Sequence, residues 1–132
     1  MSNFKIGATL MGLVDLDTLL NFAGSADPDW SFQPYSRSIT LGNGIIKGVG
    51  YSIAKWRWNA IDDVSRETLQ EFVGSSLSAP VFITTPVSQT YLGEIIYKDF
   101  QAIMHWPDAE EDFQTTYVLG LFITFSHLVE QL

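Results

Sequence analysis

The clearest alternation of apolar and polar positions lies in the stretch from Tyr51 to Ile61. In an extended chain, one face of this stretch has Ala54, Trp56, Trp58 and Ala60, and the other has Lys55, Arg57 and Asn59. Because successive side chains of a β-strand point to opposite faces, the pattern predicts a half-buried strand. Its two tryptophans are expected on the buried face, where indole rings commonly cover the core of a small barrel.

A β-hairpin is predicted just before this strand. Two β-like runs, Tyr35 to Leu41 and Ile45 to Val49, are separated by Gly42-Asn43-Gly44. Asn-Gly supplies the positive φ angles that a tight hairpin turn requires. A phosphate-binding loop is disfavoured for these glycines, because neither a strand-to-helix context nor a Gly-Lys-Ser/Thr sequence follows them.

Helical spacing occurs in two short stretches. Leu16, Leu19 and Leu20 follow acidic residues that suit a helix N-terminus, which predicts a short helix. We assign this helix to an N-terminal extension at 1–33 that precedes a core at 34–132. The stretch from Ser65 to Val73 has an apolar stripe and is preceded by capping residues, so it predicts one helix that flanks the core.

Three further strands complete the predicted core. The run from Pro80 to Pro86 is β-branched, and its prolines, which cannot donate to a central ladder, suggest a short edge strand. The runs from Tyr97 to Trp106 and from Thr115 to His127 are expected to pair. The predicted fold class is therefore mainly β, an antiparallel barrel or sandwich with one flanking helix.

The composition predicts one domain that associates with other chains. A length of 132 residues fits a single hydrophobic core. Charged residues make up 17% of the chain, against a usual share of about 25%. So low a charge content leaves apolar side chains on the surface unless another chain covers them, which makes a homo-oligomer the first expectation.

Charge and hydropathy disfavour several other classes of protein. The net charge of −8 opposes the counterion release that dominates binding to nucleic acid. No apolar run approaches the ~20 residues that span a bilayer, and the first residues do not resemble a secretory signal. With no cysteine in the chain, disulfides and thiolate chemistry are excluded.

Candidate chemistry is sparse in this sequence. His105 and His127 have no metal-ligand spacing and no recognisable catalytic partner, so structural roles are favoured. The acidic run at 108–112 is not spaced as a calcium loop and is interpreted as a solvated connection. Lys55-Trp56-Arg57-Trp58 interleaves cations with aromatics as single-strand nucleic-acid platforms do, but strand alternation explains it as well. We therefore expect no enzyme activity, no cofactor and no metal.

The order of these parts resembles that of the small distal minor tail proteins of long-tailed bacteriophages, the lambda minor tail protein M and its relatives. The resemblance covers Pro34 to Leu132. Its parts are the hairpin from Arg37 to Gly44, the strand Ala54 to Ala60, the helix Ser65 to Val73, the strand end Ile83-Thr84-Thr85-Pro86, and the closing pair Phe100 to Trp106 and Leu121 to Phe125. The N-terminal segment and the stretch from Val87 to Ile96 depart from the family pattern as an addition and an insertion.

This resemblance implies a tail-tube or distal-tail fold and a structural role in the virion tail, after synthesis in the host cytoplasm. Relatives form a sixfold ring near the tail tip and contact the tube protein above and the baseplate or hub below. DNA would only pass through the lumen, which the acidic excess would line. Related rings at the tail terminator or the head-tail connector reuse the fold and stay open as alternatives.

Interface residues are the candidate functional residues under this interpretation. They are Leu16, Leu19 and Leu20 of the N-terminal segment, Tyr91, Leu92 and Ile95 of the 87–96 stretch, and Asp108, Glu110 and Glu111 of the acidic run. Two other classes remain as competitors. One is a monomeric ligand-binding barrel lined by Trp56, Trp58 and Tyr117, and the other, ranked last, is a small hydrolase.

Overall fold

The chain is mainly β, and the computed structural model describes residues 3–20, 28–107, 112–114 and 117–131. A 3₁₀ turn at Leu10–Gly12 follows the first strand. The elements in chain order are β1 (Lys5–Gly7), β2 (Val14–Asp15), α1 (Leu16–Leu19), β3 (Asp29–Gln33), β4 (Arg37–Thr40), β5 (Ile46–Val49), β6 (Ile53–Asp62), α2 (Asp63–Gln70), β7 (Ser78–Gln89), β8 (Ile95–His105), β9 (Asp112–Gln114) and β10 (Tyr117–Glu130).

One antiparallel sheet dominates the architecture. Its strand order is β2-β1-β7-β8-β10-β6-β3, with β9 paired to β10 beyond this path. The end strands β2 and β3 are not paired with each other, so the described strands form a sandwich-like sheet and no closed barrel. β4 and β5 form a second sheet of two strands, as the hairpin pattern predicts.

The main sheet folds over a core centred on Trp56. β6 and β7 are separated in the sheet by β8 and β10, yet Trp56 Nε1 donates a 2.8 Å hydrogen bond to Thr85 Oγ1. The two strands therefore face each other across the core. The Trp56 ring also makes edge contacts with Phe4 and Phe125, at centroid distances of 5.4 and 4.7 Å. The predicted burial of Trp56 and Trp58 is confirmed.

The N-terminal segment is built into this core, which corrects its interpretation as an extension. β1 pairs with β7, and the core includes Phe4, Ile6, Leu16 and Leu20. Leu16 begins α1, so the predicted short helix is present. Asp15 caps it by accepting from Thr18 N at 2.9 Å, and hydrogen bonds from Thr18 hold the pKa of the Asp15 carboxyl below its ordinary value. The leucine stripe faces inward and belongs to the core, while β1 supplies the strand that pairs with β7.

β7 is longer and more central than its prolines suggest. It spans twelve residues between β1 and β8, whereas the sequence predicts a short edge strand from Pro80 to Pro86. β1 pairs only with Phe82–Thr84, so neither proline stands opposite it. Half of the predicted insertion from Val87 to Ile96 belongs to the strands β7 and β8, and the other half is the turn at 90–94.

The helix α2 follows β6 directly and packs against β6 and β10. Its N-cap is Asp62, whose carboxylate accepts a hydrogen bond from Ser65 N at 3.1 Å. Leu69 is the apolar side chain that the helix buries in the core. The alternation of β6 breaks at this junction: Ala60, predicted to be buried, is exposed, and Ile61 is buried instead. The helix packs against this end of β6, on the side of Ile61. Burial there no longer follows the face that carries Trp56 and Trp58.

Candidate protein–protein interfaces

The β4–β5 hairpin is set apart from the main sheet. Its register pairs Arg37 with Val49 and Thr40 with Ile46. Leu41 N donates to Ile45 O at 2.7 Å, and Gly44, at φ 86°, donates from its N to Leu41 O at 2.9 Å. Among the described residues, neither strand has another strand paired on its outer edge. The hairpin therefore presents two unpaired strand edges.

Both faces of this hairpin expose large apolar side chains. Ile45 and Ile46 are 58% and 70% exposed, and Ile39 and Leu41 are exposed as well. Strand alternation puts Leu41 and Ile45 on one face and Ile46 on the other. An isolated two-stranded hairpin is marginally stable in water, so a surface of this kind is suited to a partner that covers it.

The base of the hairpin is fixed to the body of the protein. Tyr51 stacks on His127 of β10 with a centroid distance of 4.1 Å, and Ser52 Oγ donates to Leu128 O at 3.3 Å. Within the hairpin, the Tyr35 ring occupies the space where a side chain at position 48 would lie, so Gly48 allows this close approach. The hairpin thus starts from an anchored base and exposes its strands and turn.

A second exposed tip lies between β7 and β8. Thr90 N donates to Glu94 O at 2.8 Å, and Gly93, at φ 89°, donates to Thr90 O at 2.9 Å. Tyr91 and Leu92 occupy the turn and are 97% and 80% exposed, and Ile95 at the start of β8 is exposed too. These three predicted interface residues are therefore brought to one accessible tip.

The other predicted interface residues are not brought to that tip. Leu16 and Leu20 are buried in the core, and Leu19 packs against it partly buried. They are unavailable to a neighbouring chain in this fold, so their assignment as interface residues is corrected. Asp108, Glu110 and Glu111 lie outside the described residues.

The fold brings both histidines onto one serine, which their sequence spacing does not show. His105 Nε2 lies 2.7 Å from Ser126 Oγ, and Ser126 Oγ lies 2.9 Å from His127 Nδ1. The register of β8 on β10 produces this cluster, at a bulge where His127 has a φ of 54°. Its only signal in the sequence is the Ser126-His127 pair, which is not a catalytic motif.

This cluster ties two strands together and is poorly suited to nucleophilic catalysis. Ser126 is 6% exposed, and it lies in β10 between β8 and β6. A substrate would have to displace neighbouring side chains to reach Ser126 Oγ. In the ranges that the structure describes, no three His, Cys, Asp or Glu residues come together as a metal site.

Comparisons with protein-family models, curated proteins and solved structures found no match for this chain. Among the residues with described structure, no helix is long and apolar enough to cross a membrane.

Proposed function

We propose that this chain is a structural subunit that assembles with other protein chains and that the β4–β5 hairpin is a principal contact. The observation that supports this most directly is the apolar exposure on both faces of an anchored two-stranded sheet. Unpaired apolar edges promote association with other strands, and proteins normally cover or charge them. A partner chain that covers the hairpin would remove this liability.

The magnitude of the contact favours a closed assembly over a simple pair. Full burial of an Ile or Leu side chain contributes about 1.5–3 kcal/mol. The four side chains Ile39, Leu41, Ile45 and Ile46 are already partly covered, so a partner would add about half of that for each. The total of about 3–6 kcal/mol only matches the lower range of the cost of association, about 4–15 kcal/mol. A ring in which every copy both gives and receives such a contact adds further interfaces.

The resemblance to distal minor tail proteins supports a specific form of this assembly. The chain would form a ring, sixfold as in those relatives, that joins the tail tube to the baseplate or hub of a bacteriophage. The described hairpin, Trp56-bearing strand, helix α2 and closing strands follow the order on which that resemblance rests. A tail-terminator or head-tail connector ring is the alternative position, and an acidic lumen that lets DNA pass belongs to the same proposal.

A monomeric ligand-binding barrel is less well supported. Trp56 and Trp58, which would line its cavity, are packed in the core, and Trp56 is bound to Thr85. Side chains therefore fill the space at Trp56 that a ligand would occupy. The side chain of Tyr117 lies outside the described residues.

The experiment compares wild-type protein with the hairpin variant Ile45→Glu/Ile46→Glu by sedimentation velocity and negative-stain microscopy. We expect the wild type to form rings as its concentration rises, alone or mixed with its neighbours in the tail, and the variant to stay monomeric but folded. The matched control is Leu77→Glu/Val129→Glu, because these side chains are 54% and 59% exposed outside the hairpin.

Rings formed equally well by the hairpin variant would contradict the assigned contact. A wild type that remains monomeric at every concentration and with every tail protein would contradict assembly altogether. The position in the tail has its own check: a tape-measure gene directly upstream of this gene is expected for a tail-tip protein.

A further inference from the structure

A shallow basic groove crosses the outward face of the sheet at β3, β6 and β10. Strand register aligns Asp29, Arg57 and Phe122 in one row, and Ser31, Lys55 and Thr124 in the next. The groove has a volume of about 350 Å³, and Phe122 stands in it 44% exposed. An apolar ring is thus flanked by two cationic side chains.

These cations are unusual in so acidic a chain. Lys55 and Arg57 are two of only seven basic residues, against fifteen acidic ones. Both are exposed, and neither forms an ion pair within the part of the chain that the structure describes. Among the described residues that line the groove, Asp29 is the only carboxylate, so these residues have an excess of positive charge.

The helix α2 presents the opposite charge in a regular stripe. Asp63, Glu67 and Glu71 are four residues apart, all are exposed, and none pairs with a described cation. Like charges four residues apart on a helix repel each other, and Glu71 also lies at the negative end of the helix dipole. Val64, exposed next to this stripe, adds an apolar side chain. The stripe has no cationic partner among the described residues, so external cations are free to pair with it.

We propose that the acidic stripe of α2 in one copy docks into the basic groove of the next copy. This inference rests on the proposed function and specifies a second interface of the same assembly. Complementary charge identifies the occupant, and Phe122 faces Val64 as the apolar part of the contact. The groove and the helix are different surfaces, so the contact is head-to-tail, and a rotation that closes turns it into a ring.

A chain cannot make this contact with itself. Arg57 and Asp63 are six positions apart, which separates them by roughly 20 Å along an extended strand. Leu69 of α2 is buried in the core. This side chain holds the helix against the body of the protein at the far end of β6. The stripe of one copy therefore reaches only the groove of another.

Single-stranded nucleic acid is the competing occupant, and the observations favour it less. Such platforms stack successive bases on several aromatic rings along a continuous basic track. Among the described lining residues, Phe122 is the only exposed ring, because Trp30 is partly buried against the core. The net charge of −8 also opposes nucleic acid at long range.

Charge reversal on each surface gives a reciprocal test. In Lys55→Glu/Arg57→Glu the groove becomes acidic, and in Glu67→Lys/Glu71→Lys the helix becomes basic. Self-association by sedimentation velocity is expected to weaken roughly tenfold or more in each variant, since close charge pairs across interfaces couple strongly. Mixing the two variants, or combining all four substitutions in one chain, should restore assembly because the charges become complementary again.

The control reverses two cations elsewhere, Lys5→Glu/Lys98→Glu, which gives the net charge of the groove variant and also breaks the exposed ion pair between Lys98 and Glu130. Exposed pairs of this kind contribute little, so the control should assemble as the wild type does. All variants alter exposed side chains, and thermal unfolding followed by circular dichroism checks that each is folded. Restored assembly in the mixture supports the inference beyond any general effect of net charge.

The other outcomes overturn the inference in distinguishable ways. If the wild type assembles and neither charge-reversal variant is weakened, the groove contact is wrong and the proposed function still stands. A wild type that never assembles removes both. A fluorescent thymidine oligonucleotide that binds the wild type but not Lys55→Glu/Arg57→Glu, with assembly unchanged, would assign the groove to single-stranded nucleic acid.

Discussion

The β4–β5 hairpin and the β7–β8 hairpin have the same type of turn, but the first exposes apolar side chains on its strands and the second exposes them at its tip. In both turns a glycine near φ 90°, Gly44 or Gly93, follows the two tip residues. The β4–β5 hairpin has the small tip Gly42-Asn43 between exposed apolar strands. The β7–β8 hairpin has the apolar tip Tyr91-Leu92, and its strands enter the core at Val81, Ile83, Phe100, Ala102 and Met104.

The difference shows that the turn sets the chain reversal and the neighbouring strands set the burial. β7 has β1 on its outer edge, and β8 has β10 on its own. β4 and β5 have no such neighbours among the described strands, so their apolar side chains remain in solvent. An identical turn therefore serves the core in one place and an accessible surface in the other.

Removing β1 should give β7 a free edge like that of β4. Of all the changes considered, this one should lower the free energy of unfolding most. Deletion of residues 1–20 takes Phe4, Ile6, Leu16 and Leu20 from the core. Four such side chains contribute about 6–12 kcal/mol, which is comparable with a whole domain stability of about 5–15 kcal/mol. We expect an unfolded chain by circular dichroism. A folded truncation would restore the interpretation of this segment as an extension.

Truncating one isoleucine in each hairpin tests the contrast directly. Ile83→Ala in β7 removes a fully buried side chain and should lower the free energy of unfolding by about 2–5 kcal/mol. Ile46→Ala in β5 should change it by less than about 0.5 kcal/mol, since that side chain is 70% exposed. Urea denaturation of the monomer measures both values. Equal losses would mean that the β4–β5 hairpin is packed in solution.

The hydrogen bond across the core should show how firmly β7 is tied to β6. Thr85→Val keeps the side-chain shape but leaves the buried Trp56 N–H without its acceptor. The free energy of unfolding should fall by about 1–3 kcal/mol. Trp56→Phe/Thr85→Val, which removes both partners, tests additivity: a loss equal to the sum of the two single losses would argue against coupling.

The two turn glycines should have the smallest and most local effects. An alanine at a positive φ costs roughly 1–2 kcal/mol. Gly93→Ala should lower the free energy of global unfolding by about that amount, because β7 and β8 belong to the core. Gly44→Ala should leave global unfolding nearly unchanged and speed amide hydrogen exchange within β4 and β5. A global loss for Gly44→Ala would show that the β4–β5 hairpin supports the core.

Sequence patterns predicted the local elements well where their cause is local. Alternation located the strand around Trp56, the Asn43-Gly44 pair located the hairpin turn, and capping residues located α2. The leucine spacing located α1, yet the same spacing did not show that Leu16 and Leu20 pack inside their own chain. An apolar stripe shows only that something covers it, so the sequence alone left a partner and the chain's own core equally open.

The candidate interface was only partly predictable for the same reason. Tyr91, Leu92 and Ile95 were expected to be accessible and are exposed. The β4–β5 hairpin was predicted as an element but not as a surface, because the missing edge partners become visible only in the strand order. The convergence of His105 and His127 on Ser126 was missed because it depends on the register of β8 and β10.

The sequence by itself determined the turns, the strand periods, the helix cap and the scarcity of charge. These features depend on residues a few positions apart, or on composition alone. Tertiary structure decided which apolar stripes enter the core, which strand edges stay unpaired, and where Lys55 and Arg57 meet Phe122. Those outcomes depend on pairing between residues far apart in the chain, and no local pattern of side chains specifies which distant strand becomes the neighbour.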